Sequence, residues 1–177
     1  MKPLYKNVRI YAMELNLKGY TLIEIVLVIA VISILSVSIF VYINYSKTFN
    51  LDAGTSKVAA DLRYAQNLSM STAQFSGVSF EGNTYFIYTT TGTEDTLVNN
   101  PADFGRSLQV DLFHDFGISI ASVLIGGGNK VEFSPLGQPY SDKTGSILST
   151  ESAIILSVGS DTKTITITPN TGKVSIQ

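Results

Sequence analysis

Apolar residues follow three different rules along this chain. From Ile25 to Ile43 they are continuous, nineteen residues without charge, glycine or proline, broken only by Ser33, Ser36 and Ser38. At about 1.5 Å per residue, a helix of that length covers roughly 28 Å, close to the hydrocarbon thickness of a bilayer. A helix that is apolar on every face has no solvent side, so the run predicts a single membrane span over about 22–43. The three serines fit such a span because each hydroxyl can bond a carbonyl one turn back. The run also continues past them through Ile39, Phe40 and Val41, which argues against an ordinary secretory signal cut on its far side.

Further along, the pattern becomes helical. Val58, Leu62, Ala65, Leu68 and Thr72 recur at spacings of four, three, three and four, a stripe able to pack on a sheet. The helix is expected over 55–76, with a place to bend or fray at Asn50–Thr55, where Asp52 and Gly54 interrupt the run. After Ser76 the period is two. Val78-Ser79-Phe80-Glu81 and Thr84-Tyr85-Phe86-Ile87 flank Gly82-Asn83, a pair suited to a two-residue hairpin turn. With Glu81 opposite Thr84, Phe80 meets Tyr85 and Val78 meets Ile87, all on one face against the helix. More strands are expected over 108–112, 118–125, 130–133, 153–158, 162–168 and 173–176, with no return of helical periodicity. Thr93–Arg106 reads as an exposed loop. Gly126–Gly128 reads as a flexible connection, because no lysine and hydroxyl follow in the frame of a phosphate-binding loop. The expected fold is therefore α+β, a long N-terminal helix whose first half is transmembrane and whose second half packs on an antiparallel sheet.

Charge gives this layout a direction. Before Tyr20 stand Lys2, Lys6, Arg9 and Lys18 against Glu14, a net of +3; after Gly19 there are eight basic and thirteen acidic side chains, a net of −5. The basic flank predicts a cytoplasmic N-terminus and a globular part on the other side of the membrane. An acidic body repels phosphate backbones, so nucleic acid is not expected as a partner. With no cysteine there is no disulfide framework, thiolate nucleophile or thiolate metal site. His114 is the only histidine. Asp111, His114 and Asp115 read as a solvated loop or strand end, and Asp142, Glu151 and Asp161 are too scattered for a calcium loop. No catalytic residue, metal site or cofactor is assigned.

One carboxylate departs from the plain anchor. Glu24 stands at the threshold of the apolar run, where an unpaired charge is costly, although the N-terminus of a helix also favours a negative group. Lys18-Gly19-Tyr20-Thr21-Leu22-Ile23-Glu24 followed by the apolar run resembles the processing junction of type IV pilins and type II secretion pseudopilins. The resemblance implies a leader peptide over 1–19, cleavage between Gly19 and Tyr20 by a prepilin peptidase, and N-methylation of Tyr20. It further implies that Glu24, fifth in the mature chain, pairs with the N-terminal amine of a neighbouring subunit during assembly. Residues 20–50 would form the transmembrane and assembly helix, and 51–177 a periplasmic globular domain. Ser33 and Val41 occupy mature positions fourteen and twenty-two, where major pilins usually carry glycine and proline, which favours a minor subunit.

Three later pieces extend the resemblance. Asp61-Leu62-Arg63-Tyr64-Ala65-Gln66-Asn67, Val131-Glu132-Phe133-Ser134-Pro135-Leu136-Gly137-Gln138-Pro139 and Ile165-Thr166-Ile167-Thr168-Pro169-Asn170-Thr171-Gly172-Lys173-Val174, in that order, look like the GspH and FimT group. The two proline- and glycine-containing pieces read as turn chemistry. The group implies a minor pseudopilin of a type II secretion system, single-pass in the bacterial inner membrane and then in a filament near its tip. Its partners would be other pseudopilins or pilins, the prepilin peptidase and the inner-membrane assembly platform. The alternative is a FimT-like minor pilin of a type IV pilus or DNA-uptake system. The single lysine of Gly172-Lys173-Val174-Ser175-Ile176-Gln177 is too little positive charge for DNA binding at the C-terminus.

Overall fold

A computed structural model describes residues 19–101, 103, 105–141 and 145–177, the side chains of 40–46 excepted. Most of the expected leader, 1–18, and Asp142 lie outside the described residues. The chain forms two compact units, Met1–Val41 and Tyr42–Gln177. One helix, α1 (Leu22–Thr72), supplies residues to both.

In the first unit every described helical residue is exposed, including Leu22, Ile25, Val28, Ile32 and Ile39. Ser33, Ser36 and Ser38 donate to the carbonyls of Ile29, Ile32 and Ile34 at 2.7, 2.8 and 3.2 Å. Each serine therefore satisfies its own hydroxyl inside the helix, which is what a hydroxyl needs where water is absent.

In the second unit the buried stripe of α1 is Leu51, Thr55, Val58, Ala59, Leu62, Ala65 and Ser69. Leu68 is only half-buried and Thr72 is exposed, contrary to the pattern reading. At 100° per residue, ten residues carry position 68 roughly 80° away from Val58, whereas Ser69 returns close to the centre of the stripe. Its hydroxyl donates to the Ser134 carbonyl at 3.0 Å. The expected weak point at Asn50–Thr55 is helical throughout. Gly54 is buried there because a Cβ would overlap Ile118 Cδ1 and touch Phe116 Cγ at 3.4 Å. The glycine permits close approach and does not fray the helix. The helix stops at Thr72, four residues short of the expected Ser76. Ala73 takes a left-handed conformation with φ 55°, and Ser76 is instead paired with Thr89 and Phe133 in a sheet.

The strands divide between two sheets. The first contains β1 (Phe75–Glu81), β2 (Thr84–Thr90), β3 (Asp95–Leu97), β4 (Gln109–Asp111), β6 (Lys130–Phe133) and β7 (Pro139–Tyr140), in the order β3-β2-β1-β6-β7 with β4 also on β2. The second contains β5 (Ser119–Leu124), β8 (Ser152–Val158), β9 (Asp161–Ile167) and β10 (Val174–Ile176), in the order β10-β9-β8-β5. The first hairpin has the register read from sequence, with Glu81, Phe80 and Val78 opposite Thr84, Tyr85 and Ile87. Gly82 alone has positive φ in its turn, 60°, the pattern of a type II′ connection. Asn83 then joins the sheets, since its side-chain oxygen accepts from the Ile120 N–H at 3.0 Å and its carbonyl from the Leu112 N–H at 3.0 Å. Val58, Leu62 and Ala65 of α1 share one core with Val78, Tyr85, Ile87 and Phe133 of the first sheet and Ile154, Leu156, Ile165 and Ile167 of the second.

Several local expectations change. Leu112 does not end a strand but starts a short helix, α2 (Leu112–Phe116), capped by the Asp111 carboxylate, which accepts from the Phe113 and His114 N–H groups at 3.0 Å each. The polar segment 93–106 contains β3, whose residues are all exposed, leaving no alternation to read. Gly126 and Gly127, with φ 52° and 86°, form a closed two-residue turn in which the Gly128 N–H donates to the Ile125 carbonyl at 2.8 Å. It is a specified reversal, not a flexible linker.

Leu51 is the first buried residue of α1 in the described part of the second unit. A fragment of residues 51–177 is therefore expected to be soluble and monomeric, with mixed helix and strand by circular dichroism and one cooperative thermal transition. A noncooperative melt would mean that residues before Leu51 are needed for the fold.

Candidate functional site

The junction residues lie at the start of α1. Thr21 precedes the helix, and its hydroxyl accepts from the Glu24 N–H at 3.3 Å. Thr21-Leu22-Ile23-Glu24 thus has the spacing of a capping box, with Glu24 in the first turn. That local signal was legible beside the family resemblance. Tyr20 is 78% exposed, and Gly19 is exposed and outside regular structure. A Cβ built on Gly19 would meet nothing within 4 Å among the described residues, and its φ is not in the left-handed region. The chain's own conformation therefore sets no requirement for glycine at 19, and both residues of the Gly19–Tyr20 bond are exposed. The window Leu22–Ile39, with Glu24 as its third residue, has mean hydropathy 2.8 and is wholly unburied. This apolar helix fits a pilin-type membrane anchor. The carboxylate of Glu24 sits on its edge.

The three later pieces meet at a single helix position in the second unit. Gln66 Nε2 donates to the Gly137 carbonyl at 2.8 Å and to the Thr171 carbonyl at 3.2 Å. Arg63 Nη2 donates to the Val174 carbonyl at 3.0 Å, and Asp61 accepts from the buried Tyr85 hydroxyl at 2.6 Å. Asp61, Arg63 and Gln66 of the helical piece thus each hold a different strand or turn. The Ser134–Gln138 turn closes through Ser134 N–H to Gln138 O at 2.9 Å and Gly137 N–H to Ser134 O at 2.8 Å. The Thr168–Gly172 turn needs left-handed backbone at Asn170 and Gly172, φ 62° and 65°. These residues supply structural joints, a role that sequence spacing could not assign to Asp61, Arg63 or Gln66. Burial and the Asp61 charge push the Tyr85 hydroxyl well above the usual tyrosine range, so it stays a donor.

The group Asp111, His114 and Asp115 is also accounted for by local structure. Asp111 caps α2, and Asp115 contacts His114 Nδ1 at 2.9 Å. The hydrogen bond and charge of Asp115 raise the histidine pKa. Among the described residues no group of three His, Cys, Asp or Glu side chains is placed to hold a metal ion.

A long N-terminal helix followed by antiparallel sheets, α+β in class, defines a pilin-like fold. No family model matches the sequence, and no curated protein matches it. Among solved structures, the chain resembles the type IV minor pilin FimU of Pseudomonas aeruginosa in space group P21. The TM-score is 0.52 at 13% identity, over 75% of this chain and 92% of that one. The same minor pilin in space group P65 gives 0.48 at 13% identity, over 72% and 92%.

Proposed function

We propose that this chain is a structural subunit of a pilin-type filament. The first reading is a minor pseudopilin of a type II secretion pseudopilus, cut after Gly19, methylated on Tyr20 and held in the inner membrane until it enters the filament near its tip. The carrying observation is the fully exposed apolar helix Leu22–Ile39, with one carboxylate, Glu24, in its first turn. Such a surface needs lipid before assembly and neighbouring helices after it, and the carboxylate needs a cationic partner in both places. The second reading, a minor pilin of a type IV pilus or DNA-uptake system, is favoured by the likeness to FimU, itself a type IV minor pilin. In either reading the chain performs no reaction.

Processing supplies the direct test. Chain extracted from membranes of cells with active prepilin peptidase is expected to begin at Tyr20 and to carry one additional methyl group, measured by intact mass and N-terminal sequencing. Chain that still begins at Met1 in those cells would remove the reading. Deleting the gene and scoring secretion and surface pili separately would distinguish the two filament systems.

A further inference from the structure

A groove of about 550 Å³ lies within the second unit, beside α1 and the residues leading into β4. Leu108 and Val110 supply apolar wall, Tyr64 supplies a half-buried ring, and Lys57, Asp61 and Asp115 supply charge. The Asp61 side chain keeps only 10% of its surface exposed. Its two side-chain donors, the Tyr85 hydroxyl at 2.6 Å and Lys57 Nζ at 2.5 Å, both end on Oδ2. Oδ1 accepts no hydrogen bond among the described residues. Asp61 lines the groove, and Oδ1 is its oxygen left without a donor.

We propose that this groove receives a lysine or arginine side chain from a partner protein, with its aliphatic stem on Leu108 and Val110 and its cationic head on Asp61 Oδ1. Charge selects this guest. Lys57 is already engaged at Oδ2, and the formal charges of Lys57, Asp61 and Asp115 leave the lining with one negative charge in excess, which Asp115 shares with His114 Nδ1. Asp115 stands at the rim, where its side chain is 46% exposed and contacts His114 Nδ1 at 2.9 Å. A wholly apolar guest would bury Oδ1 without a donor, which costs more than the apolar contact returns. A long basic side chain satisfies both the wall and the oxygen. The site belongs to the globular unit alone and does not depend on which filament system uses the chain.

The test uses the full chain in zwitterionic detergent micelles, with methyl-labelled leucine and valine, titrated with n-butylguanidinium and with its neutral isostere n-butylurea. The Leu108 and Val110 methyl signals are expected to shift, with the cation binding about tenfold more tightly than the urea. Asp61→Asn should abolish that preference. If that variant does not fold, Asp115→Asn decides, since its rim carboxylate lies outside the core and its loss should lower the preference about twofold with the remaining spectrum unchanged. Equal affinity for the two probes, absence of shifts at Leu108 and Val110, or an unaltered preference in folded Asp115→Asn would overturn the proposal.

Discussion

Glu24→Gln is expected to leave processing and membrane insertion intact while abolishing filament incorporation. Glutamine keeps the size and the hydrogen-bonding capacity of glutamate, and its backbone N–H still meets the Thr21 hydroxyl, the contact seen at 3.3 Å. Insertion should be no worse, because a neutral side chain at the edge of an apolar span costs less than a charged one. The loss falls between subunits. A carboxylate and an ammonium about 4 Å apart attract by roughly 4 kcal/mol at an effective dielectric near 20, equivalent to about three decades in association. In cells lacking the wild-type gene, the variant should yield a normal Tyr20 terminus, normal membrane fractionation, near-complete loss of crosslinks to filament neighbours and no complementation. Full complementation with wild-type crosslinking would show that Glu24 serves only as part of the helix cap.

The largest stability effect is expected from Gly172→Ala. Position 172 has φ 65°, and a Cβ there would meet the Gly137 carbonyl oxygen at 2.5 Å and Gln66 Nε2 at 2.6 Å. Backbone strain for a residue with a Cβ costs about 1 kcal/mol, and overpacking against an immobile carbonyl adds about 1–3 kcal/mol. The clash also separates the two turns that Gln66 bridges. Urea unfolding of fragment 51–177 should therefore show a loss of about 3 kcal/mol. Gly82→Ala is the control, since its φ is 60° but nothing lies within 4 Å of the added atom; it should cost only about 1 kcal/mol. Equal losses in the two variants would mean that strain, not the joint at Gln66, sets the cost.

The elements that sequence determined are those whose signal is complete within a few residues. The apolar run from Ile25 declares a surface with no solvent face, and neither packing nor topology is needed to read it. The Gly82-Asn83 turn fixed its hairpin register because a two-residue reversal leaves one pairing that keeps Val78, Phe80, Tyr85 and Ile87 on the same face. The junction at Gly19, Tyr20 and Glu24 was readable only as a resemblance, since a Cβ at Gly19 would meet nothing within 4 Å among the described residues and no packing partner marks the position. Elements set by distant partners were not readable. The end of α1 at Thr72 reflects the pairing of Ser76 with Thr89 and Phe133, and the tolerance of Gly54 reflects the approach of Ile118. β3 has no buried face to produce alternation, and α2 has too few residues to produce a period. The division into two sheets rests on Asn83 and on the pairing of β5 with β8, about thirty residues later. Asp61 is buried, Gln66 half-buried and Arg63 exposed on α1, and only the folded chain brings Tyr85, Val174, Gly137 and Thr171 within hydrogen-bonding distance of them. A hydrogen bond across more than a hundred residues leaves no mark in local composition, because its geometry exists only after both sheets have closed on the helix.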